Sequence, residues 1–198
     1  MTNEQKKSYA LGANVGESFR SAKITLNETD FLNGLRDALA GNNKFSQAEM
    51  QQIFEMIDQE IIAQQSSGSA EEMAKGAAFL AENKKNKDVV ETPSGLQYKV
   101  VTMGKGAKPT ATDQVRVHYH GTLIDGQVFD SSVQRGETIT FGLNQVIPGW
   151  TEGVQLMPVG SKFIFYIPSN LAYGDRSMGI IKTGSTLIFE VELFEINP

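Results

Sequence analysis

The sequence has no cysteine and only two histidines, and each shortage removes a class of chemistry. Without cysteine there is no disulfide and no thiol nucleophile, although that absence identifies no compartment. His118 and His120 are the whole stock of imidazole, and they share one short strand-like run. No uninterrupted apolar stretch approaches the length needed to cross a bilayer. Positive charge is in the minority, 18 Lys and Arg against 23 Asp and Glu, for a net charge of −5. That balance argues against a nucleic-acid partner, whose phosphates need clustered cations. Met1 to Lys7 is polar and lacks the apolar core of a secretory signal, so the expected location is cytoplasmic, or periplasmic if a signal peptide was removed. No membrane partner is expected.

What is present falls into two halves. Proline is absent ahead of Pro93, and up to about Lys87 the chain reads as helix. Leu11, Val15 and Phe19 recur every four residues, with Gly12 and Gly16 on the neighbouring stripe, where another helix could approach closely. A second helix is predicted after Asn27, carrying Phe31, Leu35 and Leu39 inward and stopping at Gly41. Ser46 and Glu49 form a capping box for a third, with Phe45 and Met50 as a hydrophobic staple. Its apolar stripe is Met50, Ile53, Ile57 and Ile61. At Ser66-Ser67-Gly68-Ser69 the helix either continues or is capped afresh by Ser69 with Glu72; the continuous reading is preferred. Running from Ser46 to about Lys87, it would be roughly 60 Å long at about 1.5 Å per residue. Its first half is expected to pack on the first two helices, those of a second copy, and Ala74 to Lys87 to stand as an exposed rod.

From about Thr92 the period changes to two. Val115, Val117 and Tyr119 alternate with Arg116, His118 and His120; Phe163, Phe165 and Ile167 form another strand, and Leu187, Phe189, Val191 and Leu193 a third. Asp125-Gly126 is a hairpin signal. A short helix is predicted between Ile147 and Leu156, with Pro148 at its start.

Conventional catalysis finds little footing here. Asp130-Ser131-Ser132 lacks the Gly-x-Ser-x-Gly elbow and an organised base, so the serines are assigned to turn hydrogen bonds. His118 and His120 would give a metal only two ligands on a strand edge facing solvent; Asp113 or Glu192 could supply a third in the fold, but nothing in the sequence says so, and no metal is expected. Gly104-x-Gly106 and Gly174 have no phosphate-loop lysine. The remainder is a set of rings and apolar groups, Tyr119, Phe129, Ile147, Trp150, Tyr173 and Phe189, with Asp130 as the conspicuous acid. Trp150 and Tyr173 lie where the chain bends, which suits the floor and rim of a pocket. Such a site suits a reaction that breaks no covalent bond, such as rotation about a peptide bond.

Val117-His118-Tyr119, Gly126-x-Val128-Phe129-Asp130-Ser131-Ser132, Val146-Ile147-Pro148-Gly149-Trp150-x-Glu152-Gly153, Ala172-Tyr173-Gly174 and Thr186 to Leu193 resemble, in order and spacing, the motifs of FKBP-type peptidyl-prolyl cis-trans isomerases. The match covers residues 92–198. The helical half, entering the β region through Ser94-Gly95-Leu96-Gln97-Tyr98, resembles the dimeric bacterial branch typified by macrophage infectivity potentiator proteins.

The resemblance implies an α+β protein: a helical dimerisation domain over 1–65, the rest of a long connecting helix and a linker over 66–91, and an isomerase domain over 92–198. That last domain would be a five- or six-stranded antiparallel sheet wrapped around a short helix. Trp150 would be the pocket floor; Tyr119, Phe129, Val146, Ile147 and Phe189 its walls, joined by Phe141 and Ile181. Asp130 and Tyr173 would stand at its edge, with Arg135 paired to Asp130 and the Ile147 N–H holding a substrate carbonyl. Ile139 stands where an aromatic wall residue is common, and Lys182-Thr183 follows Ile180-Ile181 where prolines are frequent. Both departures alter the substrate side. The expected function is isomerisation of X-Pro bonds in folding chains, without a cofactor, together with holding of unfolded protein in the cleft of a homodimer. Macrolide inhibitors of the family would also bind. The rival class is a non-catalytic module that grips proline-containing partners; a metallochaperone is the third reading.

Overall fold

The computed structural model describes residues 1–21 and 24–198, with Gln64 and Gln65 described by their backbone alone. The chain divides into two compact units, Met1–Ser66 and Ser67–Pro198.

The first unit holds α1 (Asn3–Ser21), α2 (Glu28–Leu39) and the beginning of α3 (Gln47–Asn83). The helix starts follow local chemistry. The Asn27 side chain accepts from the N–H of Asp30 at 3.1 Å, and α2 ends where Gly41 takes φ +73°. The capping box forms as expected: Ser46 N–H donates to Glu49 at 2.8 Å, and Glu49 N–H donates back to the Ser46 hydroxyl at 3.3 Å. Phe19 meets Phe31 edge-on at 5.4 Å. The expectation that Phe31, Leu35 and Leu39 point into a core is not met within this chain, because no described residue of the unit is buried and Leu39 is 82% exposed. Nor, apart from the neighbouring backbone of α1 itself, does any described atom of the chain come within 4 Å of a Cβ placed on Gly12 or Gly16. The faces exist, but α1, α2 and the first part of α3 do not cover them.

Helix α3 is continuous through Ser66–Ser69, so the fresh cap at Ser69 does not form. Its C-terminal half differs from the exposed rod expected for Ala74 to Lys87. Gly76 is buried, Phe79 lies 6.0 Å from the Tyr166 ring, and Asn83 donates to Gln97 at 2.9 Å. Gln97, fully buried, donates to Leu80 O and Glu91, so its amide is satisfied away from water. A stripe of Gly76, Phe79 and Leu80 was present among the alanines and lysines; its partners are distant in sequence.

The second unit is built on a seven-stranded antiparallel sheet of β1 (Val89–Glu91), β2 (Gln97–Thr102), β3 (Gln114–Leu123), β4 (Val128–Ser131), β5 (Ile139–Gly142), β6 (Lys162–Ile167) and β7 (Leu187–Ile196). The order is β1-β2-β6-β7-β3-β4, with β5 also on β3. The count exceeds five or six because β3, ten residues long, pairs with β5 through Gln114–Val117 and with β4 through His120–Thr122 along one edge. The other edge of β3 pairs with β7, so His118 and His120 sit on an interior strand rather than a sheet edge.

Inward residues of β3, β6 and β7 make the core, with Val117, Phe165, Val191 and Leu193 fully buried. Each such side chain contributes about 1.5–3 kcal/mol by leaving water. The one-turn α4 (Ser132–Arg135) follows β4, and α5 (Pro148–Val154) lies across the sheet. Pro148 opens α5, where its missing N–H costs nothing. Gly149 and Gly153 occupy one face of this helix, and a Cβ on them would stand 2.5 Å from Ile167 and 2.7 Å from Phe165. The backbone of α5 therefore lies directly on the Ile167 and Phe165 side chains of β6.

Candidate active site

Trp150 leaves α5 beside that contact and is 4% exposed. Around it stand Tyr119 of β3, Phe141 of β5 and Phe189 of β7, all edge-to-face with the indole at 5.3–5.7 Å. Phe129 of β4 meets Phe189 edge-on at 5.3 Å. Edge-to-face packing sets the positive rim of one ring against the negative face of another, fixing the orientation of each. Above the rings opens a cavity of about 1180 Å³. Val146, Ile147, Tyr173 and Ile181 complete its apolar wall, and Asp130 is the one carboxylate among the described lining residues.

That carboxylate is occupied. The Tyr119 hydroxyl donates to Asp130 Oδ2, Arg135 donates to Asp130 Oδ1, and the Arg135 Nη2 donates to the Tyr119 oxygen at 3.0 Å. Partial burial pushes the Asp130 pKa upward, but the hydrogen bonds from Tyr119 and Arg135 outweigh it and leave it below the usual value. Tyr119 shifts the other way, raised by burial and by its bond to Asp130. Burial also raises Tyr173, with a smaller push from Asp130. The acid stays ionised and both phenols stay neutral at ordinary pH.

Two family models match this chain: that of FKBP-type peptidyl-prolyl cis-trans isomerase over residues 105–194, and that of the domain amino terminal to it over residues 4–100. The chain belongs to the FKBP-type peptidyl-prolyl cis-trans isomerases. It is 48% identical to the FKBP-type isomerase FkpA of Aeromonas hydrophila, over 98% of this chain and 76% of that protein. It is 45% identical to the FKBP-type 22 kDa isomerase of Escherichia coli, over 98% and 96%, and 41% identical to the outer membrane protein MIP of Legionella longbeachae, over 98% and 86%. The crystal structure of FkpA from Escherichia coli superposes with a TM-score of 0.76 at 38% identity, covering all of this chain and 98% of that one. The protein is an enzyme that interconverts cis and trans X-Pro bonds, and its fold is α+β. No described helix is long and apolar enough to cross a membrane.

The isomerase fold brings Tyr119, Phe129, Asp130, Phe141, Val146, Ile147, Trp150, Tyr173, Ile181 and Phe189 to one cavity. Arg135 is outside the lining and reaches it through Asp130 and Tyr119. Ile139 packs against the core beside it and is not part of the wall. Ser131 and Ser132 work as turn residues: Ser131 caps α4 through Gln134 N–H at 3.2 Å, and the Ser132 hydroxyl accepts from Tyr119 N–H at 2.8 Å. The histidine Nδ1 atoms lie 3.0 and 2.9 Å from the Ser132 and Ser131 hydroxyls.

Sequence reasoning missed Gly121. A Cβ there would stand 2.6 Å from the Phe129 ring and 2.9 Å from Phe189, so only glycine lets both rings lie against β3. The signal was available, since Gly121 continues the inward phase of Val117 and Tyr119. Met178 and Ile180, also unassigned, form an exposed apolar rim to the cavity.

Proposed function

We propose that this cavity is the active site, and that it works by shape and dryness rather than by acid–base chemistry. The barrier to turning an amide is about 18–20 kcal/mol and comes from resonance that separates charge. Apolar walls disfavour the planar, charge-separated amide relative to the twisted one, whose C–N bond is closer to single. Trp150 is the floor on which the prolyl ring rests; Tyr119, Phe129, Phe141, Val146 and Phe189 enclose it, and Tyr173 and Ile181 close the rim. Ile147 is the N-cap of α5, so its N–H precedes the helical ladder and is assigned to a substrate carbonyl. Asp130, tied by Tyr119 and Arg135, acts by charge and by holding the Tyr119 ring in place. A thousandfold acceleration requires about 4 kcal/mol, within reach of such effects.

The observation that carries this reading is the aromatic cavity whose single lining carboxylate is already paired. Replacing Phe129, Asp130 and Trp150 singly by alanine, and following isomerisation of an X-Pro tetrapeptide, tests it. Losses of roughly tenfold or more are expected for Phe129→Ala and Trp150→Ala. Wild-type rates in all three folded variants would remove the assignment. A macrolide of the kind this family binds should compete with the peptide and change the fluorescence of Trp150, the one tryptophan in the chain.

The helical unit supports a second, compatible reading. Tyr9, Leu11, Leu39, Phe54, Met56 and Ile62 are each more than half exposed in a unit with no buried described residue. A unit of this size cannot be stable with its apolar faces in water. We assign residues 1 to about 65 to pairing with a second copy. A dimer would carry two isomerase domains, and gripping one unfolded chain at two points raises the effective affinity, the basis for a holding activity.

A further inference from the structure

Between the pocket residue Ile181 and strand β7 runs a strap, Lys182 to Thr186, and helix α3 lies against it. Gly184 takes φ +83° and is buried; a Cβ there would stand 2.8 Å from Ser69 O and 2.9 Å from Met73 Cγ. On the next turn, a Cβ at Gly76 would stand 2.2 Å from the Thr186 hydroxyl. Lys182 Nζ reaches Glu72 Oε1 at 3.3 Å. The other side of the strap faces the pocket rim, where Gly184 N–H donates to Gly174 O at 3.0 Å, next to Tyr173. The strap is thus clamped between α3 and the rim, with Ile181 at one end and Phe189 two residues beyond Leu187 at the other. Of these contacts the close packing decides. Lys182 is 69% exposed, and an ion pair so wet holds little.

We infer that Met73 and Gly76 of α3 are positioning residues for isomerisation: by fixing the strap they set the place of Ile181 and of the Tyr173-Gly174 rim, and hence the grip on the substrate. This rests on the cavity being the active site. A helix that only stabilised the domain would change its melting temperature and leave turnover of the folded protein alone.

The test uses the full-length protein and separates KM from kcat for an X-Pro tetrapeptide, at a temperature where every variant is folded. Gly76→Ala pushes the helix off Thr186 and should raise KM roughly fivefold with kcat changed much less. Gly68→Ala, on the same helix with open space around it, should match wild type. Gly76→Ala combined with Thr186→Ala removes the hydroxyl that the new methyl meets and should recover most of the loss. If Gly76→Ala does not fold, Met73→Ala, which leaves a gap beside Gly184, should raise KM in the same way. Phe129→Ala is run in parallel. If it abolishes activity while Gly76→Ala, or Met73→Ala in its place, has wild-type KM, the helix has no positioning role and the active-site assignment stands. If Phe129→Ala, Asp130→Ala and Trp150→Ala all fold and keep wild-type rates, the assignment fails and the inference falls with it.

Discussion

At the scale of single residues, the site is governed by which groups are already satisfied. Asp130 is bonded to Tyr119 and Arg135, and its pKa lies below the ordinary carboxylate value, so it remains ionised until strongly acidic solution. An acid with a lowered folded pKa contributes stability above its unfolded value of about 3.9 and loses that contribution as pH falls through the folded value. Tyr119, raised by burial and Asp130, contributes fully below about 10 and loses its contribution as pH climbs through its raised value. The rate of peptide isomerisation is therefore expected to be flat from about pH 5 to 9. A bell-shaped profile centred in that window would mean that a proton moves in the reaction. Gly121 gives a second expectation at this scale. Gly121→Ala drives a methyl into Phe129 and Phe189 and should lower kcat/KM roughly tenfold while circular dichroism still reports a folded sheet.

Among elements, α5 shows how a seven-residue helix can hold a pocket floor. It is too short to be stable alone and is held by its contact with β6, made close by Gly149 and Gly153. Gly153→Ala improves helix propensity by about 1 kcal/mol, but its methyl meets Phe165, which is fully buried and has nowhere to go. Overpacking of this kind costs about 1–3 kcal/mol, so the balance is destabilising and urea denaturation should show a lower midpoint at unchanged slope. Helix α3 carries the opposite lesson. Its N-terminal cap was legible from four residues, Ser46 to Glu49, because capping is local. Its packing through Gly76 and Phe79 was not, because Thr186 and Tyr166 lie about a hundred residues further along.

For the whole molecule, the contrast between the two units bears on assembly. The second buries a full apolar core of its own, whereas α1 and α2 bury nothing. Sedimentation at micromolar concentration should give a dimer, and Leu39→Glu with Phe54→Glu should shift it to monomer with loss of helical signal and retention of tetrapeptide isomerisation. A wild-type monomer would remove the dimer reading. If the proposed holding activity grips one chain at two points, suppression of aggregation of a denatured protein substrate should fall with the dimer.

The sequence by itself determined what depends on neighbours along the chain: the helical first half and strand-rich second half, the Ser46 cap, the Asp125-Gly126 hairpin and the alternation that turns Val117, Phe165 and Val191 inward. Motif spacing carried the family, because its pocket residues come in short linked runs. Only the tertiary structure decided that β3 carries two strands on one edge, that the Tyr119 hydroxyl joins Arg135 on Asp130, and that α3 leans on the strap beside Ile181. Those outcomes depend on distances between atoms far apart in the chain, which no local period encodes.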